Sequence, residues 1–424
     1  MASLKVSSFQ SLDRLREIDC LRGVAILMTL AIHSVEIQKF PDTFRHTWAG
    51  VELFFVISGF VVGLSLMSAL GSNSDVEPFA NRVKSARGVI QCFFVRRAYR
   101  ILPMAILGLL VPLLLSVVLR KISIYPSPAD MLVEILCVLS GFYNYTIGTG
   151  VHSGALGVYW SLAVEEQFYL LAPFLFAIVR KTSARFIFMS ALLAVTILVI
   201  KPLTMHTFDP AFDGALLRFP SHRVFDSIAA GLLLAVLKSS RAIQFSSLRT
   251  GPALLVGTFC VTMIAFLPSV YDSLYYGTKT PGPADAIHIP IVMCCSLLVF
   301  LAGQNISVFG RIAGPRHILI FLGTRSYALY LMHIPFIRVQ KWAWNTMTAA
   351  ALKGDAAPPM GWAMEKLFLS ISCWVALLLI CDLLHRFFEV PLIRKGRMYQ
   401  PGESASTGKN LNPQLPAPLL TATS

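Results

Sequence analysis

Apolar residues are concentrated in eleven runs along the chain, separated by short polar or basic stretches. The runs lie near residues 18–37, 50–70, 101–119, 131–146, 165–180, 185–203, 222–238, 251–269, 286–302, 317–336 and 364–385. A helix needs about 20 apolar residues to cross the hydrocarbon core of a bilayer, which is about 30 Å thick. The run at 131–146 is short for a crossing and contains Glu134. We therefore predict an all-α, polytopic membrane helix bundle with about ten spanning helices and one segment that is re-entrant or lies at the outer surface.

The composition supports a membrane protein. Hydrophobic residues make up 55% of the 424 residues and charged residues only 14%, whereas soluble domains carry about 25% charged residues. The net charge of +14 does not indicate nucleic-acid binding, because most basic clusters adjoin apolar runs, as membrane topology requires. The eight cysteines show no CxxC or Cys/His ligand spacing, so we expect neither a metal site nor a disulfide framework.

The distribution of basic residues predicts the orientation in the membrane. The densest basic stretch, which should be cytoplasmic together with the N-terminus, consists of Arg82, Lys84, Arg87, Arg96, Arg97 and Arg100. If 131–146 does not cross, the later basic loops and the C-terminus also face the cytoplasm. The basic residues that then remain outside as exceptions include Arg218, Arg223, Arg338, Lys341 and Lys353. We predict a membrane domain over residues 1–398 and a disordered cytoplasmic tail over 399–424.

Two ionisable residues share one side of the first predicted span. Arg22 and His33 are eleven residues apart, which is about three helical turns with roughly 20° left over, so both side chains face the same way. Asp19 lies on that face one turn before Arg22. Ionisable groups inside a membrane helix are costly and by default indicate function. A neutral His33 suits a general base; a packing histidine and a structural Asp19–Arg22 ion pair are the alternatives.

The segment FFVRRAYRILP, which we predict to be a loop, contains Arg96, Arg97 and Arg100 and ends at Pro103, where we expect the next span to begin. Guanidinium groups match phosphate oxygens, so three arginines at the inner surface suit a polyphosphorylated cytosolic ligand. A topological cluster that interacts with anionic lipid is the alternative interpretation, and on the residues alone it is the more probable one.

Further polar residues lie toward the predicted outer ends of several runs. Glu165 and Tyr169 are one turn apart on one helix face, and Glu166 adjoins them. Such carboxylates suit a hydroxylated acceptor or can tune a nearby histidine; for Glu166 a solvated helix cap is the alternative. The remaining candidates, each at an acceptor site or in helix packing, are Glu52, Arg223, Asp226, Tyr330 and His333.

The order of these segments closely resembles the acyltransferase-3 family of integral membrane acyltransferases. The segments are IDCLRGVAIL with the later His33, GVELFFVISGF, FFVRRAYRILP, YWSLAVEEQFY, RVFDSIAAG and SYALYLMHIP. The resemblance runs from about Ile18 to Pro391. Cys20 stands where glycine is commoner and Asp226 where glutamate is commoner, and neither difference removes a reactive group.

The resemblance implies transfer of an acyl group, most often acetyl, from cytosolic acyl-CoA to a hydroxyl of a carbohydrate, glycoside or glycolipid. Acyl-CoA would be a co-substrate, and no permanently bound cofactor is implied. The resemblance also implies that Arg22 and His33 are essential, that the family's basic motif corresponds to Arg96, Arg97 and Arg100, and that its glutamate corresponds to Glu165. The expected location is the inner membrane of a bacterium, in contact with its lipid bilayer.

A transporter of a polar or anionic solute is the competing interpretation, because intramembrane charges also mark transport paths. Transporters usually contain related halves with interrupted helices in matching positions. The sequence has no such halves, so an acyltransferase is favoured.

The predicted topology can be tested with reporter fusions. A periplasm-active reporter fused after Val151 should give signal, and the same reporter fused after Lys181 should not, because the basic residues that flank the later runs favour the cytoplasm. Signal at both positions would mean that the ten-span prediction has the wrong parity after Tyr145. Signal after Lys181 but not after Val151 would mean that 131–146 crosses the membrane.

Overall fold

The computed structural model describes residues 16–34, 46–70, 79–122, 124–147, 153–207, 218–240, 250–274, 281–304, 316–351 and 362–400. Within these residues the chain forms helices and no strand. The predicted tail at 399–424 lies almost entirely outside the described residues.

The first half of the chain forms α1 to α8. Their bounds are α1 Arg16–His33, α2 Ala49–Leu70, α3 Phe79–Val118, α4 Pro128–Leu139, α5 Tyr143–Thr146, α6 Tyr159–Ile178, α7 Thr182–Val195 and α8 Lys201–Thr207. A 3₁₀ turn at Arg120–Ile122 follows α3, and a π turn at Thr196–Ile200 joins α7 to α8.

The second half forms α9 to α15. Their bounds are α9 Ser221–Ser239, α10 Thr250–Asp272, α11 Pro281–Gly303, α12 Arg316–Thr324, α13 Ser326–Ala351, α14 Trp362–Leu384 and α15 Val390–Met398. A π turn at His385–Glu389 joins α14 to α15.

Each of the ten predicted spans is helical over most of its described residues, and seven described helical stretches are long and apolar enough to cross a membrane. These stretches are Ala49–Leu70, Ala86–Val118, Tyr159–Ile178, Thr182–Thr204, Gly251–Asp272, Asp285–Gly303 and Met364–Met398. The predicted spans at 18–37, 222–238 and 317–336 fall outside this set. The first two carry several charged side chains, which lower their hydropathy. The structure thus establishes a multi-pass membrane bundle, while the predicted number of ten spans is not confirmed.

Two predicted boundaries are wrong. The basic stretch before Pro103 is not a loop, because α3 is one helix of 40 residues that contains Pro103 and Pro112; arginine and lysine are good helix formers and continue it. The run at 317–336 is two helices, since the chain bends at Arg325 between α12 and α13. The Arg325 side chain binds Asp382 on α14 at 2.5 Å.

The short run at 131–146 forms α4 and α5 and is stabilised by a buried carboxylate. The 12 residues of α4 extend about 18 Å, much less than the bilayer core. Glu134 accepts hydrogen bonds from the hydroxyls of Tyr143 and Ser153, each at 2.7 Å, and from the backbone amide of Leu156 at 3.1 Å. These bonds connect the segment to the chain that leads into α6.

Glycines allow the central helices to approach closely. A Cβ atom on Gly59 would collide with the backbone of Ile228 in α9, and one on Gly231 would collide with the backbone of Val56 in α2. A Cβ atom on Gly23 of α1 would likewise meet the backbone of α12. Small residues at helix interfaces are the usual basis of such packing in membranes. This packing sets the positions of the charged residues on α1 and α2.

Candidate active site

A cavity of about 100 Å³ lies among α1, α2, α3, α6 and α13, and we call it the arginine cavity. Its polar lining residues are Arg22, Ser58, Arg97, Arg100, Ser161, Glu165, Tyr169, Ser326, Tyr327 and Tyr330. Sequence positions almost 310 residues apart therefore meet at one site. Apolar side chains such as Phe54, Phe55 and Leu331 complete the wall.

Glu165 is held by hydrogen bonds to both of its carboxylate oxygens. The Ser58 hydroxyl donates to Oε1 at 2.7 Å, and the Tyr169 hydroxyl donates to Oε2 at 2.8 Å. Glu165 and Tyr169 are neighbours on α6 at i and i+4, as the sequence predicted. The Arg97 guanidinium stacks on the Tyr169 ring at 4.5 Å from its centroid. The structure thus places Glu165 in one cavity with the arginines, a neighbourhood that the sequence did not indicate.

The arginine cavity carries an excess of positive charge. Three guanidinium groups and one carboxylate line it, and Arg22 also pairs with Asp19 at 3.2 Å. Even when Asp19 is counted, the cations exceed the anions. Guanidinium groups that converge on a confined space are suited to phosphate oxygens.

The three arginines of the basic segment do not all line the arginine cavity. Arg97 and Arg100, three residues apart on α3, both line the cavity. Arg96 instead reaches the C-terminal helix, where its Nη2 lies 3.5 Å from the carbonyl oxygen of Arg397. The predicted set of three is therefore divided between a cavity and a helix contact.

His33 and His333 form a close pair of imidazole rings. The ring centroids are 5.0 Å apart. His33 Nδ1 lies 2.9 Å from the carbonyl oxygen of Thr29. A carbonyl only accepts, so Nδ1 of neutral His33 bears the hydrogen and Nε2 keeps its lone pair. His333 Nδ1 makes the same type of bond to Leu329 at 3.1 Å. Its Nε2 is buried and has no hydrogen-bond partner among the described residues.

His33 does not line the arginine cavity. It faces a second cavity of about 490 Å³, which we call the histidine cavity, with Ile124, Gly154, Ile334, Ile337, Arg338, Lys341, Trp342 and Asn345. Arg22 and His33 are about 16 Å apart along α1 at 1.5 Å per residue. Tyr330 lines the arginine cavity, and its ring centroid is 5.9 Å from that of His333. Tyr330, His333 and His33 therefore form a series of rings between the two cavities.

Glu52 and Asp226 belong to a third, closed set of polar groups. The Lys201 ammonium donates to Asp226 at 2.5 Å and lies 2.8 Å from His288 Nδ1. His288 Nε2 is 3.5 Å from Glu52, whose other carboxylate oxygen accepts a bond of 2.5 Å from Ser227. All five residues are buried. None of them lines either cavity, so we assign this cluster, which we call the buried ion cluster, to helix packing.

Arg223 has a similar structural role. Its Nη2 donates to both carboxylate oxygens of Asp285, at 2.9 and 2.8 Å, and its Nη1 donates to Thr204 at 2.6 Å. Glu166 is half-buried and lines neither cavity.

Sequence reasoning missed Lys201, Asp285 and His288. Each is an ionisable residue within or beside an apolar run, and that position alone was a usable signal.

The fold and the two cavities describe a multi-pass membrane protein with a buried cationic site connected to paired histidines. Residues 15–386 match the sequence model of a protein family whose description is acyltransferase domain. The chain therefore belongs to the acyltransferase-3 family, which confirms the resemblance noted from the motifs.

The curated relatives are bacterial proteins of greater length. A putative peptidoglycan O-acetyltransferase of Bacillus subtilis, YrhL, is 24% identical over 334 residues, which cover 76% of this chain and 48% of the relative. The peptidoglycan O-acetyltransferase OatA of Listeria monocytogenes is 24% identical over 396 residues, which cover 89% of this chain and 56% of the relative. A putative O-acetyltransferase of Staphylococcus aureus is 23% identical over 353 residues, 78% of this chain and 53% of the relative. The chain thus spans about half the length of these relatives. No solved structure matches it.

The division of the basic segment can be tested with two single substitutions. Arg97→Ala should raise the apparent KM for acyl-CoA more than Arg96→Ala, because only Arg97 lines the cavity, and a charge-assisted bond to phosphate contributes about 1.5–3 kcal/mol. Initial rates in membrane vesicles at varied acetyl-CoA concentration would measure this. Equal effects of the two substitutions would contradict the assignment and favour a general role of the basic segment in insertion.

The buried ion cluster should matter for stability. Asp226→Asn leaves the Lys201 ammonium buried without its carboxylate, and breaking a buried pair in this way typically costs about 3–5 kcal/mol. We expect a clear loss of thermal stability in detergent. Glu365→Gln, a change at an exposed acidic residue, should stay within about 0.5 kcal/mol of the unsubstituted protein. An Asp226→Asn protein of normal thermal stability that failed to use acceptor would contradict the packing role.

Proposed function

We propose that the protein transfers an acyl group, specifically acetyl, from cytosolic acyl-CoA to a hydroxyl of a carbohydrate or glycosylated acceptor on the other side of the membrane. The observation that carries this proposal is the pair of cavities connected by Tyr330, His333 and His33. One cavity is suited to the donor, and the other offers a base to an acceptor.

The charge of the arginine cavity supports binding of the donor. Phosphate groups of acyl-CoA would pair with Arg97 and Arg100, because charge-assisted bidentate contacts are strong and specific in a site shielded from water. Arg22 would add a third cation from α1. The cavity of about 100 Å³ has room for a phosphate or for part of a pantetheine arm, so the nucleotide would remain at its mouth. The arm would extend along α1 and bring the thioester toward His33.

The tautomer of His33 supports its role as a base. With Nδ1–H bound to the Thr29 carbonyl, the Nε2 lone pair can take the proton of an acceptor hydroxyl. The hydroxyl oxygen then attacks the thioester carbonyl, the C–S bond breaks, and the imidazolium returns its proton to the departing thiolate. A second route forms an acyl-imidazole at Nε2 first, with loss of the thiol, and the acceptor hydroxyl then takes the acyl group. The geometry is compatible with both routes.

The relatives support the class of acceptor. Two of them are named for O-acetylation of peptidoglycan, a polymer that contains carbohydrate, and the same class of acceptor is proposed for this chain. An acceptor outside the cytoplasm requires an enzyme in the cell membrane of a bacterium with donor access from the cytosol. With the orientation that the basic residues predict, both termini of this chain would be cytoplasmic.

His33 provides the sharpest test of this function. His33→Gln keeps a hydrogen-bonding group but cannot accept a proton at neutral pH, so acyl transfer should fall by about 10²–10⁴-fold, as for His33→Ala. His333→Ala should reduce transfer less, because the second ring supports the first. Incorporation of radiolabelled acetyl groups from acetyl-CoA into membrane glycans would measure these rates.

The matched control is His317→Gln, which changes an exposed histidine on α12 that lines neither cavity. It should leave transfer unchanged at equal expression. Near-normal turnover by His33→Gln would make His33 a packing residue. Absence of any acetyl incorporation by the unsubstituted protein, together with uptake of a solute, would instead favour a transporter.

A further inference from the structure

The histidine cavity contains two cations that topology does not explain. Arg338 and Lys341 lie on the predicted outer side, where the distribution of basic residues disfavours them. Both line the cavity that His33 faces. None of the described lining residues carries a carboxylate, so every charged group there is basic. A cleft lined by one sign of charge raises the local concentration of ligands of the opposite sign.

The two cations differ in how they are engaged. Arg338 donates to the carbonyl oxygens of Ser153 at 3.0 Å and Ile124 at 3.3 Å. It therefore connects α13 to the chain segments on either side of α4 and α5. Lys341 is exposed and makes no hydrogen bond or ion pair within the described part of the chain. Its ammonium is available for a ligand.

The polar groups that α13 contributes to the histidine cavity all lie on one face of that helix. Arg338, Lys341, Trp342 and Asn345 follow the spacing i, i+3, i+4 and i+7, which lines up side chains along one side of a helix. Trp342 is 37% exposed, so its ring offers an apolar surface to a ligand, and Asn345 offers both a donor and an acceptor. Ligand sites commonly combine an aromatic surface with a few convergent polar groups in this way.

We infer that the histidine cavity is the acceptor subsite and that Lys341 makes it selective for an anionic glycan, one that bears a carboxylate or a phosphate near the hydroxyl to be acylated. This inference rests on the proposed function and adds the charge class of the acceptor. Trp342 would stack on a sugar ring, Lys341 would pair with the anionic group, and His33 would face the hydroxyl. The cavity volume of about 490 Å³ accommodates one or two sugar rings.

The experiment uses the full-length protein in a strain that lacks the chromosomal gene. Mass spectrometry of O-acylated glycans first identifies the product of the unsubstituted protein, and we expect the acyl group on a sugar that bears a carboxylate or phosphate or adjoins one that does. Glycan from the deletion strain then serves as acceptor in membrane vesicles with labelled acetyl-CoA. A parallel sample has its carboxylates methyl-esterified or its phosphates removed with hydrofluoric acid.

Three variants complete the test. Lys341→Gln should raise the KM for the native glycan about tenfold, because one charge-assisted contact is lost. The kcat should change little. The substitution should hardly affect use of the neutralised glycan. Lys341→Arg should restore the native KM. Lys121→Gln, at an exposed lysine that does not line the cavity, should behave as the unsubstituted protein.

Failure of the inference and failure of the proposed function give different results. Acylation of neutral glycans, or equal use of native and neutralised glycan by the unsubstituted protein, would overturn anionic selectivity and leave acyl transfer intact. An effect of Lys341→Gln that Lys341→Arg does not reverse would also overturn it. If the unsubstituted protein acylated no glycan at all, the proposed function itself would fail, and the inference with it.

Discussion

Charged side chains inside a membrane bundle must be satisfied by other groups of the protein, because the hydrocarbon core offers no water to solvate them. The structure meets this constraint by pairing charges between helices that are distant in sequence. Lys201 pairs with Asp226, and Arg223 pairs with Asp285, each buried or nearly so. These pairs connect α8, α9 and α11, while close glycine contacts hold α9 against α2. The charged residues that line the two cavities differ from these pairs, because there the cations outnumber the carboxylates.

The arginine cavity and the histidine cavity lie at two different positions along α1, one at Arg22 and the other at His33. Near the N-terminal end of that helix, the guanidinium groups of the arginine cavity surround the carboxylate of Glu165, which two hydroxyl groups hold in place. About three turns further along, the imidazole rings of His33 and His333 lie against each other, and each bears its hydrogen on Nδ1. A reaction that uses a charged donor and a hydroxylated acceptor gains from this separation, because each substrate can enter its own cavity. The pantetheine arm of the proposed acyl-CoA donor is long and thin, which suits the distance between them.

The sequence predicted the helical runs better than the connections between them. The apolar character and length of a run depend only on local residues, so each predicted span is helical over most of its described residues. Two predicted boundaries, at Pro103 and within the run at 317–336, differ from the structure. Arginine-rich sequence continued α3 through Pro103, since proline bends a helix but does not always end it. The run at 317–336 is interrupted at Arg325, whose side chain reaches Asp382 on α14, and no pattern within that run reports this contact.

By itself the sequence determined the membrane class, the helices and the face of α1 that carries Asp19, Arg22 and His33, because helical geometry relates neighbours along one chain segment. The family resemblance added the expectation that Arg22, His33 and Glu165 serve one activity. Only the tertiary structure decided that Arg97 and Arg100 line a cavity and Arg96 does not. It also decided that Glu165 joins the arginines and that His33 lies against His333. These relations depend on how closely helices from distant parts of the chain approach, and that distance is set by interhelical packing at residues such as Gly23, Gly59 and Gly231.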